Sequence, residues 1–240
     1  MDTSVRMGRR AGLLWLLSAA AGGYGLSFVR GSVIVAGDAA ATATNVAADE
    51  FGYRVAIVCT LLGQVLMVFF ALTIFQLFRE SYRWLATVFL VSVLVSVTIA
   101  VVNTFNHFGA LLVTSQAEYL KAFSTGQLQA MAMMFLRMSN SGQGLLEIFW
   151  VPYFAAFGLL ILRSGRLPVY CGVMMLVMSA GFAVNLLDKF LVPQFHPELF
   201  TRIAMALGAL GGLPTMLWLL VRGVRAEVPG TAATDGSTPA

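Results

Sequence analysis

Arg137-Met-Ser-Asn140-Ser-Gly-Gln143-Gly-Leu-Leu-Glu147 leads into an apolar run from Ile148 to Leu162 that is interrupted only by Pro152. At helical spacing Arg137, Asn140, Gly144 and Glu147 fall on one face, with Gln143 at its edge. A guanidinium, an amide and a carboxylate on one face of a spanning helix are costly to expose to lipid. They are expected to look inward, at a bundle or a wet cavity. An unpaired, ionised Glu147 would cost roughly 2.5 kcal/mol or more there, which predicts a protonated or paired carboxyl group. His107, Arg54 and Arg202 are the candidate partners.

The composition names the solvent. Of 240 residues, 59% are hydrophobic and 11% charged, against about 25% charged in a soluble domain. Most of this surface must face lipid. The formal net charge of +4 is small, and no basic run interleaved with aromatics points to nucleic acid. Cys59 and Cys171 are expected near opposite membrane faces, too far apart for a disulfide. Spacings such as Cys-x-x-Cys or His-Glu-x-x-His are absent, so neither a metal nor another cofactor is expected. A b-type haem would want two axial histidines, and of the two here only His107 falls within a span.

Working outward, the pattern predicts an all-α integral membrane protein. Its six spans are expected at about 11–29, 51–78, 84–114, 140–162, 168–191 and 198–221. Residues 1–10 form a short basic lead, and 226–240 a Gly/Pro/Thr/Ala tail expected to be disordered. The run 11–29 is read as a span and not a cleaved signal, because it is long enough to cross and five more apolar segments follow. Asp38 is a good N-cap for an alanine-rich helix over 39–50, too short and polar to span, which is expected to lie at the outer surface. An unbroken helix from Gln127 to Arg163 would be about 55 Å long, against about 30 Å of bilayer core. This predicts a break between Ser139 and Gly144, with Gln127–Met138 along the outer interface. Gly22, Gly23 and Gly25 in the first span, and Gly208 and Gly212 in the sixth, are candidate close-contact positions, with a kink at Pro214.

Orientation follows from charge. Arg6, Arg9, Arg10, Arg79, Arg83, Arg163, Arg166, Arg222 and Arg225 fall at one face, and they are nine of the fifteen Lys and Arg residues. The positive-inside rule then puts both termini in the cytoplasm of a bacterial inner-membrane protein.

Three stretches carry a family resemblance. Phe28-Val-Arg30-Gly-Ser-Val-Ile34-Val-Ala-Gly37-Asp38-Ala-Ala-Ala-Thr42-Ala-Thr-Asn45-Val resembles the loop after the first helix of a bacterial six-helix membrane family, domain of unknown function 4386. Phe51-Gly-Tyr-Arg54 is similar to the family's Phe/Arg pair, and Gly158-Leu-Leu-Ile-Leu-Arg163-Ser164-Gly165-Arg-Leu-Pro168 to its turn between helices four and five. Ala36 stands where the family often has proline, and Asn185 with Asp188 match its fifth helix only loosely. The resemblance implies the six-helix fold. It implies no activity and no catalytic residue.

By this topology Arg54, Asn103, Asn106, His107, Arg137, Asn140, Gln143, Glu147, Asn185, Asp188 and Arg202 all belong to the outer half. Such an asymmetry is expected of a bundle that opens outward into a polar pocket. The favoured reading is binding or transport of a small polar or amphipathic ligand around Glu147. The others are an intramembrane enzyme acting on a lipid-like substrate, with Glu147 and His107 as acid and base, and an accessory protein whose polar groups only pair helices. The expected partners are membrane lipids and, for so small a transporter, further copies of the chain.

Overall fold

The computed structural model describes residues 3–191 and 211–225, with Asp188, Lys189 and Leu191 described by backbone alone. His196, Arg202, Gly208, the first part of the sixth expected span and the tail from 226 lie outside the described residues.

All regular structure among the described residues is helical. α1 (Thr3–Phe28) continues into a π-helical stretch, Val29–Val33, followed by α2 (Ala39–Ala48), α3 (Glu50–Phe78), α4 (Arg83–Asn103) and α5 (Phe105–Thr114). A single 3-10 turn, Glu118–Ala122, leads to α6 (Thr125–Ser164) and α7 (Val169–Leu191). Residues 211–222 form α8. Five helical stretches are long and apolar enough to cross a membrane: Thr3–Val33, Glu50–Phe78, Arg83–Thr114, Thr125–Ser164 and Val169–Leu187.

Local chemistry sets the ends. The Asp38 side chain accepts from the amide of Ala41 at 2.9 Å and starts α2, the expected cap. Asp49 does the same for α3 through Gly52 at 2.8 Å. A reciprocal Ser124–Gln127 capping box starts α6, and Gly165, at φ 61°, ends it in the left-handed conformation that glycine adopts without strain.

Two expectations need correction. α6 runs unbroken for 40 residues, about 60 Å, with no interruption between Ser139 and Gly144. Its length exceeds a bilayer because its first third is packed beneath α2 and α5 and does not have to span. The third expected span, conversely, is two helices. The Thr104 amide is shared among the carbonyls of Ala100, Val101 and Val102, a tightened turn that ends α4 and re-aims the chain into α5. The helix of the first span also extends ahead of it: α1 begins at Thr3, and its basic first turns pack on α8. The Arg9 guanidinium donates to the carbonyl of Val221 at 3.1 Å.

The long helices close into a ring. α1 packs on α3, α3 on α4, α4 on α6 and α6 on α7. α8 completes the circuit, with Gly211 against Met174 and Met178 of α7, and Gly8 and Gly12 of α1 against Val224 and Leu220. Lipid tails are as apolar as leucine, so close approach and hydrogen bonding hold such a ring more than the hydrophobic effect does. Gly25 meets Thr60 and Ala56, Gly63 meets Gly22 and Ser18, and the Ser18 hydroxyl donates to the Gly63 carbonyl at 2.8 Å. Gly23 meets nothing, and Gly208 lies outside the described residues. At the α1–α8 contact the closest approaches are at Gly8 and Gly12, which the sequence reading had not singled out, while a side chain at Gly212 would lie 4.0 Å from Trp15.

One end of the ring gathers the arginine turns. Tyr82 donates to the Arg163 carbonyl at 2.7 Å. Arg166, only 7% exposed, donates to the Leu77 carbonyl at 2.6 Å and the Arg225 carbonyl at 2.9 Å. Its guanidinium carbon also lies 5.3 Å from the centre of the Phe78 ring. Inside that half, Trp15, Phe70, Phe89, Tyr153 and Phe157 pack ring against ring and fill the middle.

Candidate functional site

Above the aromatic plug, towards the end that carries α2, the ring does not fill. A cavity of about 410 Å³ lies between α1, α3, α4 and α6, within the size range of small-molecule sites, about 300–1,000 Å³. Trp15, Met67, Val93, Val97, Tyr153 and Phe154 line its deep part. Asn103, His107, Ser139, Asn140, Gln143 and Arg30 line the other. Arg30 and Asn140 are exposed and mark its mouth.

The polar end is built around one histidine. His107 Nδ1 lies 2.8 Å from the Tyr53 hydroxyl, and Nε2 lies 2.9 Å from Ser139 Oγ. His107 lies in the first turn of α5, just past the tightened turn at Thr104, while Tyr53 comes from the first turn of α3 and Ser139 from the middle of α6. Asn103 donates to the Ser139 carbonyl at 2.9 Å, and its own Oδ1 accepts from Asn106 Nδ2 at 2.9 Å. Gly142 makes room for Asn103, since a side chain there would collide with its amide. Trp150 Nε1 donates to Ser96 Oγ at 2.8 Å midway down the cavity.

The residues singled out from the sequence separate into groups. His107, Asn103, Asn140 and Gln143 meet at the cavity. Asn106 touches it only through Asn103, and lines instead an outer groove with Arg137, between α4, α5 and α6. Glu147 does not line the cavity. It sits at the edge of the polar face, half-buried, and accepts from Asn185 Nδ2 of α7 at 2.7 Å, so its partner is neither His107 nor Arg54. Arg54 pairs with Glu50 at 2.7 Å on the exposed first turn of α3. The Asp188 side chain and Arg202 lie outside the described residues.

Tyr53 and Ser139 were missed. Tyrosine in an apolar helix reads as packing, and serine as helix filler. Only the fold places them on opposite sides of one imidazole. Tyr153 is also informative: it is 3% exposed, lines the cavity, and its buried hydroxyl has no hydrogen-bond partner among the described residues. A buried hydroxyl without a partner costs about 1–3 kcal/mol.

Fold and site together define a helical, multi-pass membrane protein whose ring of helices is packed shut in one half and holds a polar-rimmed cavity in the other. The chain matches the family described as Domain of unknown function (DUF4386) over residues 10–223, and it belongs to that family. No curated protein and no solved structure matches it.

Proposed function

We propose that this cavity binds a small amphipathic ligand, in a six-span bacterial inner-membrane protein whose arginine-rich end faces the cytoplasm. One observation carries the reading: a buried polar group that lines the cavity, the Tyr153 hydroxyl, has no hydrogen-bond partner among the described residues. A ligand that fills the cavity would supply contacts the protein itself does not make. The aromatic plug of Phe70, Phe89 and Phe157 lies across the route towards the arginine end, which favours binding over passage through the ring.

The site is centred on His107 and Ser139, with Asn140, Gln143 and Asn103 around them, and the Glu147–Asn185 pair beside it on the α6–α7 seam. Native mass spectrometry of gently solubilised protein tests this. Gly22 lines the cavity and a Cβ added there meets nothing within 4 Å, so Gly22→Leu fills the space without forcing helices apart. A bound small molecule should accompany the wild type and Glu147→Gln, and be absent from Gly22→Leu. Equal bulk lipid on all three proteins would contradict the reading.

A further inference from the structure

We infer that the ligand is an amphipathic anion, an alkyl chain with one carboxylate or phosphate group, held head-first between Arg30 and Ser139. The inference rests on the cavity reading above and adds the ligand's chemical class.

Charge is the first ground. Arg30 lines the cavity, and no Asp or Glu among the described residues does. Arg30 makes no ion pair or hydrogen bond with another described side chain, unlike Arg54, Arg79 and Lys121, which all pair with carboxylates. It sits in the π-helical stretch Val29–Val33. Val29 and Arg30 of this stretch both line the cavity, and π-helical turns recur at functional sites.

Hydrogen direction is the second. Tyr53 is 0% exposed, and its hydroxyl has one partner, His107 Nδ1. A buried phenol keeps its hydrogen bonded by donating it, so Nδ1 accepts and the imidazole hydrogen sits on Nε2. Nε2–H therefore donates to Ser139 Oγ, which leaves the Ser139 hydrogen to be donated into the cavity. The Asn103 carbonyl oxygen is already taken by Asn106. The Ser139 hydrogen is therefore on offer to a lone pair, and the amides of Asn140 and Gln143, one and four residues beyond Ser139, can turn their N–H groups to the same place. Such a rim suits a group rich in lone pairs and carrying negative charge.

Shape is the third. From Ser139 to Phe154 the cavity face of α6 runs about 22 Å at 1.5 Å per residue. Below the rim it is lined by Trp15, Met67, Val93, Val97 and Phe154. A head at the rim and an alkyl chain reaching down to the aromatic plug would satisfy both halves.

The test uses the full chain in phosphatidylcholine nanodiscs, with the emission of cavity-lining Trp15 and Trp150 as readout. The probes are dodecanoate, dodecyl phosphate, methyl dodecanoate and dodecylamine. Dodecanoate, dodecyl phosphate or both should change the emission saturably in the wild type and not in Gly22→Leu, and the tighter of the two identifies the head group. Arg30→Gln, at an exposed position without a partner to lose among the described residues, should weaken anion binding about tenfold or more, the loss expected for one charge-assisted contact. Methyl dodecanoate or dodecylamine binding as tightly as dodecanoate, or unchanged affinity in Arg30→Gln, would overturn the anion assignment. If the neutral ester saturates and Gly22→Leu blocks it, the cavity reading survives and only the charge assignment falls. No saturable signal from any probe would count against both.

Discussion

At one end of the ring Arg166 is buried and spends its guanidinium on the carbonyls of Leu77 and Arg225. At the other, Arg30 is exposed and meets no carboxylate or carbonyl among the described residues. The same contrast holds inside. Below, Phe70, Phe89 and Phe157 interlock ring against ring, although Trp218 Nε1 of α8 also has no partner among the described residues. Above, Tyr153, Asn140 and Gln143 face unfilled space. An arginine with all its neighbours in place holds helices together, and one without them is available to something else. On the proposed reading the two halves carry different tasks, stability below and binding above, and single substitutions should pull them apart.

The largest effect is expected at Arg166. Arg166→Met removes the donor from two carbonyls that tie α3 and the chain after α8 to the α6–α7 turn. It should cost about 2–4 kcal/mol in thermal unfolding in detergent. Arg166→Lys should recover little, because a point charge cannot reach both carbonyls as the planar fork does. Gly12→Val comes next. Its Cβ would collide with the backbone at Leu220, so α1 and α8 must separate, with a loss of about 1–3 kcal/mol in the same assay. Unfolding midpoints equal to wild type in either variant would break the claim that the arginine end is where stability resides.

In the cavity half the expected changes in stability are small. Tyr53→Phe leaves His107 Nδ1 without a donor and should cost about 1 kcal/mol, in thermal unfolding, while weakening ligand retention in native mass spectra. Gly22→Leu should be neutral or stabilising by up to about 1 kcal/mol, since leucine is the better helix former, yet it should empty the site. Smallest of all is Glu147→Gln. An amide can still pair with Asn185, so both the unfolding midpoint and the bound mass should match wild type.

How much of this was legible beforehand differs between the halves. The apolar runs, the arginine turns and the Asp38 cap could be read directly, because length, charge and capping chemistry are local. The unbroken α6 could not. The length argument assumed a helix crossing lipid alone, whereas α2 and α5 cover its first third, and that cover depends on contacts far apart in sequence. The polar face of α6 was correctly seen to be unusual, but Glu147 stood out for its charge while the cavity turns on Ser139, a neutral residue beside it. Residues such as Tyr53 and Ser139 acquire meaning only through a shared partner, His107, and a shared partner is a property of the fold. Arg166 was read as part of an interfacial turn for the same reason.

The most direct test of the two-halves account is thiol accessibility in a background with Cys59 and Cys171 replaced by alanine. Gln64→Cys, which lines the cavity, and Leu160→Cys, buried at the arginine half, would be treated in membranes with a small water-soluble thiol reagent. Gln64→Cys should react and be protected when Gly22→Leu is added, and Leu160→Cys should stay unreactive. Equal reactivity at the two positions, or a Gln64→Cys that reacts just as fast with the cavity filled, would contradict it.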